Sequence, residues 1–294
     1  MILHLKFLFN CEMIKTSMIL FLPMLLCQGV FSVAAAPKVI DDAGMKARFQ
    51  KGLESLVEGK KVTSLAELNR QLNRRKAKVS LPGKKPSGFS PDEIYERCKS
   101  SVLMIGRIYK CDKCTKWHVG SASAFAITSD GVIATNYHVI EDKDGATLGA
   151  MDLSGKTYPV TEVLAASKAD DVAILRLKGA RLTPLPLSRE AAPVGSAVNV
   201  ISHPNGRYFT MTKGDVSRYF LWRAKNMAAP RMAITADYAK GSSGAPVLNS
   251  EGEVVGMVSA TNSIYYTKEK GQNQNLQMVV KLCIPVAAIS KLLD

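Results

Sequence analysis

Short apolar runs separated by turn residues dominate the chain from about residue 101 onward. The runs recur at intervals of roughly 10 to 25 residues, with Gly, Asn, Asp and Pro between them. They cover residues 102–108, 122–128, 132–136, 158–165, 172–177, 197–202, 232–235, 245–248, 254–259 and 278–280. Regular short strands with turn signals between them predict an all-β fold, either a barrel or a sandwich.

A different pattern precedes these strands. Within residues 41–78 apolar residues recur at helical spacing, and Thr63 or Ser64 can cap the second run together with Glu67, so one or two short helices are expected. Residues 81–91 contain several Pro and Gly residues and predict a linker, and Pro91 then opens a short helix. Ile284 and Pro285 introduce a last apolar segment, which predicts a helix that closes the chain.

The first 36 residues have the layout of a secretory signal peptide. Lys6 and Lys15 precede an apolar run over residues 18–33, which ends in small residues around Ala35. The run is shorter than the roughly 20 residues that a membrane-spanning helix needs. We therefore expect residues 1–36 to be removed on export to the periplasm or the extracellular space.

Export affects how the cysteines are interpreted. The sequence has six, at positions 11, 27, 98, 111, 114 and 283, of which the first two leave with the signal peptide. In an oxidising compartment Cys111 and Cys114 are expected to form a local disulfide. The pair, followed by His118, could also form part of a zinc site or a redox-active pair. No second Cys-x-x-Cys completes a tetrahedral set, so no metal is expected. A pairing of Cys98 with Cys283 stays open.

Positive charge is concentrated in one segment. The formal net charge is +14, and residues 60–85 contain nine basic residues against a single acidic one, Glu67. These are Lys60, Lys61, Arg70, Arg74, Arg75, Lys76, Lys78, Lys84 and Lys85. The segment could contact an anionic surface, although a solvated helical arm explains it as well. Without aromatic interleaving or a nucleic-acid motif, no specific nucleic-acid partner is expected.

Three residue types that nucleophilic catalysis needs occur one after another along the chain, each beside an apolar strand or in a turn. His138 follows an apolar strand, Asp171 opens another, and Ser243 lies in a turn bounded by Gly241 and Gly244. Each residue alone has an ordinary structural explanation. Together they supply a hydroxyl, an imidazole and a carboxylate, with backbone N–H groups that can face a developing oxyanion.

These motifs resemble those of the chymotrypsin superfamily, and in particular bacterial trypsin-like peptidases of the Deg (HtrA) type, over about residues 95–290. Thr-Asn-x-His-Val, Asp-Val-Ala-Ile-Leu and Gly-x-Ser-Gly-x-Pro occur in the family's order. The resemblance implies two six-stranded antiparallel β-barrels, at 91–187 and 188–294, after a basic helical arm and linker at 37–90. Ser242 and Ala245 depart from the usual residues beside the nucleophile. No PDZ domain is expected, because the closing helix ends at Asp294.

The resemblance also implies roles for individual residues. The protein would be a serine endopeptidase acting on proteins or peptides through an acyl-enzyme, with Ser243 as nucleophile, His138 as general base and Asp171 orienting the histidine. Gly241 and Ser243 would form the oxyanion hole, and no cofactor is required. The alternative is a catalytically silent binding or scaffold protein with the same fold.

Specificity is less clearly indicated. Asp237, Ser259 and Thr261 are the candidate substrate-binding residues. Asp237 would favour Lys or Arg at P1, the substrate residue before the cleaved bond, whereas Thr261 would narrow the pocket and favour small or medium aliphatic residues. Whether 37–90 is an inhibitory propeptide or a docking arm stays open, as does the oligomeric state.

Overall fold

The apolar runs after residue 101 form two closed antiparallel barrels. A computed structural model describes residues 39–83, 88–141, 144–224, 227–269 and 271–294. The expected signal peptide at 1–36 lies outside these residues, as do Lys84 and Lys85. Among the residues described, no helix is long and apolar enough to cross a membrane.

The first barrel is built from six short strands in the order β1-β2-β3-β6-β5-β4. Residues of both faces of β1 are buried, because one face lines the barrel and the other is covered by the amino-terminal helices. The strands are β1 Val102–Lys110, β2 Trp117–Ala126, β3 Val132–Thr135, β4 Thr147–Met151, β5 Thr157–Ser167 and β6 Val172–Leu177.

The second barrel has the order β10-β11-β12-β9-β8-β7. Two of its hairpins, β8–β9 and β11–β12, have ends whose side chains are largely exposed. The strands are β7 Ala197–Ser202, β8 Thr210–Ala224, β9 Met227–Ile234, β10 Pro246–Leu248, β11 Val254–Glu269 and β12 Gln272–Pro285. The all-β fold with two six-stranded antiparallel barrels is thereby confirmed.

Within the described residues four α-helices flank the barrels, and side chains cap the start of the first three. They are α1 Asp42–Glu58, α2 Leu65–Arg70, α3 Pro91–Cys98 and α4 Val286–Ser290. Asp41 accepts from the backbone N–H of Gly44 at the start of α1, and Ser64 accepts from that of Glu67 at the start of α2. Ser90 and Glu93 form a capping box before α3. The expected amino-terminal helices and closing helix are confirmed.

Helix α1 packs directly on the first barrel. Phe49 and Leu53 are fully buried, and beneath them Gly106 of β1 pairs with Gly149 of β4. A Cβ on Gly149 would lie 2.5 Å from Leu53 Cδ2, and one on Gly106 would lie 3.1 Å from Phe49 Cε1. The two glycines therefore leave the space into which the helix packs, and α1 is part of the core.

The segment after α2 is also fixed to the barrels. Ala77 donates its backbone N–H to Leu292 O at 2.8 Å and accepts from the backbone N–H of Asp294 at 2.9 Å. Farther along, the backbone N–H of Phe89 donates to Ser250 O at 2.8 Å. Residues on both sides of the gap at 84–87 are thus bonded to the carboxyl-terminal half of the chain.

Candidate active site

His138 lies in a single turn of 3-10 helix, Tyr137–Val139, directly after β3. Asn136, which precedes this turn, is fully buried and donates from Nδ2 to the backbone carbonyl of Asp171 at 3.1 Å. The end of β3 and the start of β6 are therefore fastened together. This contact fixes the histidine relative to the aspartate.

The carboxylate of Asp171 is the centre of a hydrogen-bond network. Its two oxygens each lie 3.0 Å from His138 Nδ1, and Oδ1 also accepts from the backbone N–H of His138 at 3.1 Å. Ser259 Oγ donates to Oδ2 at 2.7 Å. Asp171 adopts a φ of +62°, a left-handed conformation that Asp tolerates better than most residues. Asp170 instead bonds to Ser167, so the structure puts Asp171 and not Asp170 beside the imidazole.

This network changes the acidity of His138. Burial acts to lower the pKa of the imidazole, but the hydrogen bond and the negative charge of Asp171 act in the opposite direction. The net result is a pKa above the ordinary value for histidine. Because Asp171 accepts at Nδ1, the imidazole carries its proton there, and Nε2 is left as the basic nitrogen.

Ser243 lies in a sharp turn of the second barrel that two glycines make sterically feasible. Gly241 has a φ of +98° and Gly244 a φ of +86°, both in the left-handed region. Ser243 O accepts from the backbone N–H of Ser123 on β2 at 2.8 Å, which joins the turn to the first barrel. Ser243 Oγ donates to Ser259 O at 3.2 Å. A rotation about its χ1 would be needed for the hydroxyl to bond to His138.

Backbone N–H groups beside the serine are available to a ligand. Within the described part of the chain, no carbonyl accepts from the N–H of Gly241 or of Ser243, whereas the N–H of Ser242 donates to Ala239 O at 3.0 Å. The carbonyl of Gly241 points toward β2, where it accepts from Ser123 Oγ at 2.9 Å. The turn therefore has two unpaired donors next to the hydroxyl.

Ser242, which precedes Ser243 in the turn, is accommodated by a second serine. It is fully buried, and Ser202 Oγ donates to its Oγ at 3.0 Å. The adjacent His203 is buried too, and burial lowers its pKa to about 4. His203 Nδ1 accepts from the backbone N–H of Phe209 at 3.0 Å, so its imidazole is neutral at physiological pH.

A cleft of about 280 Å³ lies beside His138 between the two barrels. The first barrel contributes Tyr137, His138, Glu141, Lys168 and Asp171, and the second contributes mainly apolar or small residues. These are Trp222, Met227, Ser259, Ala260 and Leu282, together with the largely buried Arg231. Sequence reasoning identified only Ser259 of this second group, because β8 was not recognised as a strand and the predicted run at 232–235 covers only the end of β9.

The other two specificity candidates lie at exposed positions. The side chain of Asp237 is 85% exposed, and its Oδ1 lies 3.1 Å from Lys281 Nζ. Thr261 is exposed on β11, where it pairs with Lys281 of β12. The structure therefore does not bring Asp237 into the cleft that His138 and Asp171 line.

The predicted disulfide is not present in the structure. The Sγ atoms of Cys111 and Cys114 are 3.4 Å apart, well beyond the roughly 2.05 Å of an S–S bond. Cys98 and Cys283 are buried and unbonded, and burial raises their thiol pKa values to about 11 and about 12. Cys283 Sγ lies 3.7 Å from the hydroxyl of Tyr238, and the pairing of Cys98 with Cys283 that the sequence left open is not formed in the structure.

Comparisons with known proteins agree with this geometry. Residues 122–257 match the family model described as a trypsin-like peptidase domain. A probable periplasmic serine endoprotease, DegP-like, from Pseudomonas putida is 32% identical over 150 residues, which are 51% of this chain and 30% of the relative. The anti-sigma-I factor RsgI9 of Acetivibrio thermocellus is 31% identical over 143 residues, 48% of this chain and 19% of the relative.

Solved structures show the same fold. The crystal structure of the active form of the Rv3671c protease from M. tuberculosis superposes with a TM-score of 0.54 at 20% identity. The superposition covers 74% of this chain and 92% of that one. The two curated relatives are much longer, and this chain spans 30% of one and 19% of the other.

Proposed function

Because this chain carries a trypsin-like peptidase domain with the chymotrypsin fold, we propose that it is a serine endopeptidase with a Ser243-His138-Asp171 triad. The observation that supports this most directly is the carboxylate of Asp171, 3.0 Å from His138 Nδ1 and bonded to Ser259 Oγ. That arrangement leaves Nε2 as the base. A scaffold protein would not need a carboxylate that holds the imidazole in one tautomer.

Ser243 would attack the carbonyl carbon of the scissile peptide. Its hydroxyl first turns from Ser259 O toward His138 Nε2, a movement in keeping with the looser hydrogen bonds of ligand-free active sites. His138 takes the proton as the C–O bond forms, and then passes it to the leaving amine as the acyl-enzyme is released from the first product. Water, deprotonated by the same nitrogen, hydrolyses the ester.

The oxyanion of the tetrahedral intermediate would be held by the N–H groups of Gly241 and Ser243. Each such donor contributes about 3 kcal/mol of transition-state stabilisation in comparable sites. Both donors are unpaired within the described residues, and the turn that presents them is fixed by Ser123. The departure at Ser242 leaves these donors in place, because its side chain points to Ser202 and not to the substrate side.

We place the substrate backbone along β11 from Ser259 to Thr261. Strand β10 pairs with β11 at Met257, but from Ala260 onward only β12 is paired with it, so the other edge is available to an added strand. Small or medium aliphatic P1 residues are favoured over basic ones, since Asp237 is exposed and paired with Lys281. Protein or peptide chains are therefore the proposed substrates.

We also propose that the protein is exported and works in the periplasm or outside the cell. The DegP-like relative is described as periplasmic, and the first 36 residues have the layout of a signal peptide. We also propose contact of the basic segment 60–85 with an anionic surface. Fewer charges are available for it than the sequence suggests, because several basic residues of the segment already pair with acidic residues of the chain. Arg70 pairs with Glu67, Arg74 with Glu162 at 2.6 Å, and Lys76 with Asp294 at 2.7 Å.

A fluorophosphonate probe tests the function, because only an activated serine reacts with it. Wild-type protein should be labelled and should cleave peptides, whereas Ser243→Ala and His138→Ala should do neither while retaining the circular dichroism of the wild type. The matched control is Ser129→Ala, an exposed serine outside the site. A folded wild-type protein that resists the probe would favour the scaffold alternative, and turnover by purified Ser243→Ala would refute the triad.

A further inference from the structure

The hairpin between β1 and β2 has a cluster of side chains that the triad does not use. Strand pairing ends with Tyr109 opposite His118 and Lys110 opposite Trp117, and residues 111–116 form the loop. This register puts His118 on the strand immediately beneath the loop that holds Cys111 and Cys114. His118, seven positions after Cys111 in the sequence, is thereby brought next to Cys111 by the hairpin.

The three side chains converge on one point. Cys111 Sγ lies 3.3 Å and Cys114 Sγ lies 3.0 Å from His118 Nε2, and the two sulfurs are 3.4 Å apart. In tetrahedral zinc sites with Zn–S of about 2.3 Å and Zn–N of about 2.0 Å, the corresponding separations are about 3.8 Å for S···S and about 3.5 Å for S···N. The observed triangle is slightly smaller than that face of the tetrahedron, and small side-chain rotations would open it.

We propose that Cys111, Cys114 and His118 bind one zinc ion, with a water molecule as the fourth ligand. Binding converts two thiols to thiolates and releases two protons, and the imidazole coordinates through Nε2 in its neutral form. Thiolate and imidazole donors favour zinc over the hard cations magnesium and calcium, which select oxygen ligands. The sequence argued against a metal because it has no second Cys-x-x-Cys pair. In the structure His118 from β2 supplies the third protein ligand instead.

The strands that carry the cluster are held in place by their own contacts. The rings of Tyr109 and His118 lie 5.6 Å apart, and Lys110 Nζ lies 4.8 Å from the centre of the Trp117 ring, so the strands that frame the site are themselves packed. Gln50 of α1 donates to Trp117 O at 3.1 Å. An ion here would fasten the loop to β2 and, through Trp117, to the helix that covers the first barrel.

Zinc binding can be tested without reference to proteolysis. The chain carrying Ser243→Ala, to prevent self-cleavage, is reduced, stripped with a chelator and titrated with Zn²⁺, and separately with Co²⁺. We expect one equivalent of zinc per chain, a thiolate-to-cobalt charge-transfer absorption and a higher melting temperature with zinc. Cys111→Ser combined with Cys114→Ser should abolish the absorption, and His118→Ala should weaken zinc binding by about tenfold or more.

Lys116→Ala is the matched control, because it alters an exposed side chain of the same loop without removing a ligand. It should bind zinc as the parent does. Less than stoichiometric zinc in the reduced parent would overturn the proposal, as would one equivalent retained by the double cysteine variant. A Cys111–Cys114 disulfide found by mass spectrometry, together with no zinc binding after its reduction, would also overturn it. Because the parent already lacks Ser243, none of these outcomes depends on the proposed peptidase activity.

Discussion

Gly244 lies where the turn bearing Ser243 meets the first barrel, and replacing it with alanine should damage both stability and catalysis. A Cβ at this position would lie 2.1 Å from Ser123 O and 2.4 Å from Thr135 Oγ1. These atoms cannot easily yield, because Ser123 O is backbone and accepts from Thr135 Oγ1 at 2.8 Å. The turn itself would have to move away from β2.

The cost of the substitution has two parts that the chain allows to be separated. Left-handed backbone costs alanine about 1–2 kcal/mol, and overpacking at a closed site adds about 1–3 kcal/mol. Gly195 has a φ of +88°, almost the same as the +86° of Gly244, and a Cβ there would meet nothing within 4 Å. Gly195→Ala should therefore lose only the backbone part, and the difference between the two variants measures the contact.

Urea unfolding and peptide hydrolysis together test this reasoning. Gly244→Ala should lose about 2–5 kcal/mol in the free energy of unfolding, the sum of the two parts. Its kcat/KM should fall by about 100-fold if the serine moves by about 1 Å. Gly195→Ala should lose about 1–2 kcal/mol and keep its kcat/KM. The steric argument is refuted if the two variants are equally stable and equally active.

Three further predictions concern the network around His138 and the exposed Asp237. Asp171→Asn should lower kcat about 10⁴-fold. It should also move the acid limb of kcat/KM to lower pH, because the base must be neutral and Asp171 raises the pKa of His138. Asp170→Asn is the control variant. An unchanged acid limb in Asp171→Asn would contradict the assignment of Asp171. Ser259→Ala removes a hydrogen bond to a carboxylate and should cost about 1.5–3 kcal/mol in unfolding free energy, with a smaller loss of kcat than Asp171→Asn. Asp237→Ala should leave the P1 profile of a peptide library unchanged, and loss of cleavage after Lys and Arg would show that this residue selects them.

Much of the first barrel could be predicted from the sequence because its strands are buried and apolar. The runs at 102–108, 132–136 and 172–177 correspond closely to β1, β3 and β6. Strand β4 was missed, because Thr147–Met151 is short and contains Gly149, which weakens the strand pattern while making room for Leu53. Packing against a distant helix explains that residue, and no local pattern records it.

The second barrel was predicted less completely for a different reason. Strand β8 runs over Thr210–Ala224, but its outer part is exposed and lacks a regular alternation of apolar and polar residues. Without β8 and residues 227–231 of β9, sequence reasoning could not bring Trp222 or Arg231 to the cleft. The six-residue offset of Asp237 from Ser243 did not predict the position of its carboxylate. Spacing along the chain cannot show that this carboxylate faces Lys281.

The motifs of the proposed triad were recognisable because His138, Asp171 and Ser243 occur in order along the chain, but the relative placement of these side chains depends on contacts that the motifs do not include. His138 and Asp171 belong to the first barrel and Ser243 to the second. Ser259 bonds to both sides, through Oγ to Asp171 at 2.7 Å and through its carbonyl to Ser243 Oγ at 3.2 Å. Ser123 likewise joins the turn that carries Ser243 to β2. Any change that shifts one barrel against the other must therefore strain these two serines first, and catalysis should be lost before the barrels themselves unfold.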